Sequence, residues 1–179
     1  MRYIILLVIL ATASISEAQV YMTTTGKVQF FSETPLENIS AVNSTVASVI
    51  NTSTDSIMVR MKNTGFVFKN SLMQEHFNEN YMESSKYPID SFRGKIDPKI
   101  DYSKDGTYTV AATGRLSIHG VEKVETIKGT LTIKKGVIHL DAETMVHTAD
   151  FKIEIPKLVF QKIAEDIKVT MTADYQLKK

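Results

Sequence analysis

Cysteine and tryptophan are absent from the 179 residues, and proline occurs only four times. Without cysteine there is no disulfide, no thiolate metal site and no lipid-anchoring cysteine behind a leader. A charge excess is missing as well: 21 Lys and Arg face 20 Asp and Glu, a net charge of +1 spread along the chain. Such a balance makes no electrostatic footprint for nucleic acid or for an anionic membrane. The aromatic residues are interleaved with hydrophobic ones rather than set in a basic cluster on which bases would stack. Nucleophile elbow, phosphate-binding glycine loop, dinucleotide fingerprint and His-Glu-x-x-His are all lacking. Glu165 and Asp166 are adjacent and would point apart in a strand. The expectation is a protein that is not an enzyme.

Long hydrophobic runs are equally scarce. Ile4 to Ala11 follows Arg2, and Ser16-Glu17-Ala18 sets small residues before Gln19. Residues 1–18 therefore read as a signal peptide, and the apolar run within them is too short for a membrane helix of ~20 residues. A single domain over residues 19–179 would remain, periplasmic or secreted, with no integral membrane segment after cleavage. Asn38, Asn43 and Asn51 each begin an Asn-x-Ser/Thr triplet, and the bland reading is a polar, turn-rich segment.

What is there is alternation, which puts one set of side chains inside and the other in water. Lys27 to Ser32 and Thr45 to Ile50 make two short strands; Asn51 to Asp55 turns into Ile57, Val59 and Met61. Ile89 to Ile96 carries Phe92, Gly94 and Ile96 on one face. Thr107 to His119 sets Tyr108, Val110, Ala112, Leu116 and Ile118 on one side, and Val121 to Ile133 follows with Ile127 and Leu131. Ile138 to Ala142 is next, then Met145 to Ile155 with Phe151 and Ile153 inward, and a last strand with Ile167, Val169, Met171, Ala173 and Tyr175. Eight or so one-sided antiparallel strands in one domain predict a closed β-barrel or a sandwich, and the barrel is favoured because the landmarks of an immunoglobulin sandwich are missing.

One stretch does not alternate. Leu72, Met73, His76, Phe77 and Tyr81 recur at helical spacing, Ser71 and Gln74 form a capping box, and Pro88 stops the helix. An amphipathic helix in an all-β chain must lay its apolar face on the sheet or across the barrel mouth, which makes it a candidate lid. Leu158 to Ala164 reads as a short second helix.

Four histidines were open to metal or catalytic roles. His76 with Glu79 gives two potential ligands on one helical turn, although packing at the helix–barrel contact is the simpler reading. His119 precedes Gly120 as a turn residue, and His139 and His147 are expected to meet across a strand pair on the surface. No metal site is assigned.

The run Met73-Gln-Glu-His-Phe-Asn-Glu-Asn-Tyr81, then Ser84-Ser-Lys-Tyr-Pro88, Phe92-x-Gly94 and Gly114-x-Leu116-x-Ile118-His-Gly-Val121, resembles the YceI-like family of exported lipocalin-like barrels. The likeness extends from Gly26 to Tyr175 and takes in Ala149-Asp-Phe-Lys-Ile-Glu-Ile-Pro156. It implies a barrel whose apolar interior holds a polyisoprenoid lipid, an isoprenoid quinone or a polyprenyl chain, as its ligand, with no other cofactor. On that implication Met73, Phe77, Met82, Phe92, Tyr108, Leu116, Ile118, Phe151, Ile153, Phe160, Val169 and Met171 line the tube and its lid. Phe30 to Pro35 departs from the histidine-bearing first strand of longer members, so no head-group contact is carried over.

Two readings stand at this point. One is an extracytoplasmic carrier of an apolar lipid. The other is a self-filled barrel that presents its surface to a protein partner, with a homodimer left open in either case. Gly94, Ala112 and Gly114 on inward phases leave room inside, which favours the carrier.

Overall fold

The computed structural model of the chain describes residues 19–155 and 163–178. The proposed leader, most of the second helix and Phe160 lie outside them.

Alternating side chains can hide one face of every strand only if the sheet closes on itself, and this one does. The strands are β1 (Val20–Glu33), β2 (Asn38–Asn51), β3 (Ser56–Lys62), the two-residue β4 (Val67–Phe68), β5 (Ile89–Asp97), β6 (Gly106–Ile118), β7 (Val121–Lys134), β8 (Val137–His147) and β9 (Asp166–Leu177). All pairings are antiparallel, in the order β1-β9-β8-β7-β6-β5-β3-β2, and β1 pairs with β2 to close an eight-stranded barrel. β4 adds a short rung to the free edge of β2. Closure leaves no long unpaired edge.

The first two strands are about twice as long as their alternation suggests, because each changes phase midway. Inward positions run Tyr21, Thr23, then Gly26 and Val28 in β1, and Ala41, Asn43, then Val46 and Ser48 in β2; the register shifts where they face one another. Such bulges move every following side chain to the other face and hide the period. The triplet beginning at Asn43 is thus strand rather than turn. Asn43 is fully buried: its Nδ2 donates to the Lys62 carbonyl (2.9 Å), and its Oδ1 accepts from the Thr45 N–H and hydroxyl (both 2.9 Å).

A second expectation is corrected at Met145 to Ile155. β8 runs unbroken from Val137 to His147, after which Thr148–Phe151 form a 3₁₀ turn that ends at Lys152 with φ 57°. The helix is present but capped differently. Asn70, not Ser71, accepts the Leu72 N–H (2.9 Å), while Gln74 accepts from the Phe68 N–H (3.2 Å). α1 (Ser71–His76) continues into a π-helical turn over Phe77–Tyr81, closed by the Met82 N–H on the Phe77 carbonyl (2.8 Å). The wider turn brings Phe77 and Met82 toward one side, where a regular α-helix would splay residues five apart.

One end of the barrel is solid. Tyr21, Ile50, Ile133, Ile138 and Tyr175 are buried there, and Tyr175 shares a 2.7 Å hydrogen bond with Ser48, whose hydroxyl also reaches the Met58 carbonyl (2.8 Å). Burial pushes the Tyr175 phenol up to about 12.

Candidate binding cavity

Above that plug the interior is hollow. Val28 and Phe30 of β1, Val59 and Met61 of β3, Phe92 and Ile96 of β5, Leu116 and Ile118 of β6, and Val169 and Met171 of β9 send their inward phases into a cavity of about 510 Å³. That falls within the ~300–1,000 Å³ of small-molecule sites. The barrel is therefore filled over one part of its length and open over the rest, so each of the two readings describes one end.

The helical segment forms the wall at the hollow end. Met73, His76, Phe77, Tyr81 and Met82 all face the cavity, and Met82 is buried. Phe77 is the anchor: its ring stacks on Phe30 (centroids 5.5 Å apart, 19° between planes) and meets Phe66 at 5.5 Å and Phe68 at 5.0 Å. Offset and edge-to-face pairs at these spacings each add about 0.5–1.5 kcal/mol beyond simple burial.

The segment after the helix is tied down by polar contacts. Ser84 is buried and donates to Asn78 Oδ1 (2.7 Å). His119 is more than a turn residue: it is buried at φ 51°, its Nε2 lies 2.9 Å from Glu83 Oε2, and its Nδ1 lies 3.1 Å from the Phe151 carbonyl oxygen. Tyr87 packs edge-on against its ring (4.6 Å). Asn63 Nδ2 donates to the Tyr87 carbonyl (2.8 Å), joining the chain before the helix to the chain after it.

Of the twelve ligand residues named above, Met73, Phe77, Met82, Phe92, Leu116, Ile118, Ile153, Val169 and Met171 border the cavity. Tyr108 does not: its hydroxyl donates to the Lys104 carbonyl (3.1 Å) at the plugged end. Phe151 does not either, because the 3₁₀ turn removes it from the strand and buries it beside His119. The inward glycines have another use than making room. Gly94 and Gly114 face each other across β5 and β6; a Cβ on Gly114 would run into the Arg93 carbonyl and Gly94 Cα, and the Phe92 ring covers Gly94. They let two strands approach closely.

His139 and His147 sit on the same strand and cannot pair. His139 contacts Asp174 (2.6 Å) and Asp141 (3.1 Å), and His147 contacts Asp166 (2.8 Å). Hydrogen bonds to those carboxylates raise both imidazoles above the usual histidine range. His76 is exposed at the cavity rim, and no three His, Asp or Glu side chains converge as metal ligands among the described residues.

Sequence reasoning passed over Phe30, Phe66 and Phe68, whose rings gather only when β1 and β4 come together. It also passed over Asp90, whose inward phase with Phe92 was visible in the alternation.

The sequence matches the family described as YceI-like domain over residues 11–175. No curated protein sequence matches it. Among solved structures it is similar to a polyisoprenoid-binding domain from Saccharophagus degradans implicated in plant cell wall breakdown, at TM-score 0.76 and 12% identity over 90% of this chain and 100% of that one. Burkholderia cenocepacia BcnA superposes with TM-score 0.69 at 12% identity, over 84% of this chain and 95% of its own. A Campylobacter jejuni YceI protein follows at TM-score 0.58 and 20% identity, over 73% and 78%. At such identities the likeness speaks for the fold.

Proposed function

The chain belongs to the YceI-like family, and from that premise we propose that it is an extracytoplasmic binding protein for a polyisoprenoid lipid held inside the barrel. The single observation that carries this is the hollow end: about 510 Å³ walled almost wholly by aliphatic and aromatic side chains under a docked helix. Each CH₂ moved from water into such a space contributes ~0.8 kcal/mol, so a branched hydrocarbon chain binds without many polar contacts. Methionines 61, 73, 82 and 171 among the lining residues suit an irregular methyl-branched chain, because thioethers repack easily. The structural likeness to a polyisoprenoid-binding domain points the same way. Export is supported by the leader pattern of residues 1–18. The role is sequestration or delivery, and no chemical step is assigned to the cavity.

Native mass spectrometry of the mature protein purified from its own compartment tests this, with organic extraction to identify what is bound. Near-stoichiometric isoprenoid is the expected result. A mass that stays apo after incubation with quinones and polyprenyl lipids would turn the search to protein partners.

A further inference from the structure

The cavity wall is apolar, and one buried carboxyl group interrupts it. Asp90, the second residue of β5, turns inward in phase with Phe92, is 6% exposed and borders the cavity. Its Oδ1 is engaged twice, by Asn63 Nδ2 (3.2 Å) and by the backbone N–H of His119 (3.2 Å). Among the described residues nothing donates to Oδ2. Oδ2 is not one of the sealed, partnerless polar atoms of the interior, so it stays open to a donor brought by a ligand. Burial pushes Asp90 up to about 6, against the lowering effect of its two donors and of His119.

The remaining charges around the cavity are just as informative. Glu37 and Glu143 border it along with Asp90, and no Lys or Arg does among the described residues. Among the described residues a phosphate head group would meet carboxylates and no cation, whereas a hydroxyl would bring the donor that Oδ2 does not receive from them. Asp90 lies at the hollow end, in register with Met61, so a chain anchored there has the tube down to Ile96, Val110 and Leu131 for its tail.

Resting on the polyisoprenoid reading, we infer that Asp90 Oδ2 accepts a hydrogen bond from a terminal hydroxyl of the bound lipid, and that the cavity thereby selects a neutral prenyl alcohol over a prenyl phosphate. The hydrocarbon wall supplies affinity, and Asp90 supplies the choice of head group.

The experiment is a competition at about pH 8, where the carboxylate is ionised. The full-length mature protein is incubated with equal amounts of geranylgeraniol, geranylgeranyl phosphate and the hydrocarbon of the same skeleton; bound lipid is then extracted and quantified. The alcohol is expected to exceed the hydrocarbon about tenfold, the usual worth of a hydrogen bond to a charged acceptor, and the phosphate is expected to trail the alcohol. Asp90→Leu should bring alcohol and hydrocarbon to parity while still binding both. Asp90→Asn keeps an acceptor for Asn63 and His119, so it guards against misfolding, and it should retain only part of the preference. An alcohol-to-hydrocarbon ratio near one in the unaltered protein, a ratio unchanged in both variants, or the phosphate as the favoured ligand would each overturn the inference. Hydrocarbon uptake in the same tube reports separately on the polyisoprenoid reading: if no lipid of any kind is bound, it is that reading which fails.

Discussion

His119 Nε2 lies 2.9 Å from Glu83 Oε2 and thereby ties the residue that follows the helical wall to the turn between β6 and β7. The other ring nitrogen is 3.1 Å from the Phe151 carbonyl oxygen, so one side chain joins three segments distant in sequence. Because the helix carries few backbone contacts to the barrel, this joint and the Phe77 ring cluster are what keep it seated.

Removing the joint should loosen the helix more than the barrel. A double-mutant cycle of Glu83→Ala and His119→Ala should give a coupling of about 1 kcal/mol, modest because Glu83 is 42% exposed. Hydrogen exchange of the amides from Phe77 to Met82 should quicken in Glu83→Ala, while those of β7 stay protected. Uniform quickening would mean that the contact supports the whole barrel.

Phe77→Asp places a charge among Phe30, Phe66 and Phe68, and should speed release of bound lipid several-fold. The cost in stability should be about 2–4 kcal/mol, because the three ring pairs of Phe77 go with it, held down by the ring's being only half-buried, which lets the carboxylate reach water. Lipid off-rates and urea titrations measured together decide the matter. Parallel loss of both would make the helix part of the core rather than a lid.

Asp90 should make the protein less stable at high pH. Its folded value of about 6 lies above its ordinary 3.8, so its favourable contribution is complete below pH ~4 and is lost as pH rises through about 6. That rise corresponds to at most about 3 kcal/mol. Asp90→Asn should accordingly unfold at higher urea than the unaltered protein at pH ~8, with the difference closing toward pH ~4. A pH-independent difference would show that the carboxyl group is not desolvated.

Gly114→Ala should cost about 3 kcal/mol, because its Cβ meets backbone rather than a movable side chain. A fall in melting temperature of about 10 °C is the expected reading for a domain of this size. Gly136→Ala is the contrast: nothing lies within 4 Å, and the cost there comes only from φ 77°, about 1 kcal/mol.

How far the sequence could be read depended on how local each signal was. Tyr108 to Ile118 keeps one phase throughout, and β6 appeared at its full length; β1 and β2 each slip phase at a bulge, and their N-terminal halves did not. The helix was legible from Leu72 to Tyr81, but its cap was not, because Asn70 and Ser71 are equally good candidates until the chain direction entering the helix is known. Most of the cavity wall followed from inward phases. Phe151 did not, because its alternation with Ile153 continues past the point where β8 gives way to a 3₁₀ turn.

By itself the sequence determined an all-β barrel with one helical insertion, and the YceI-like family, because alternation and short motifs are properties of neighbouring residues. Tertiary structure alone decided how much of the barrel is plugged and how much is hollow, why Gly94 and Gly114 face each other, and that His119 meets Glu83. It alone also decided that Asp90 stands in an apolar wall with one oxygen to which no described residue donates. Each of these depends on groups that closure of the sheet brings together from far along the chain, and no local pattern records which ones they will be.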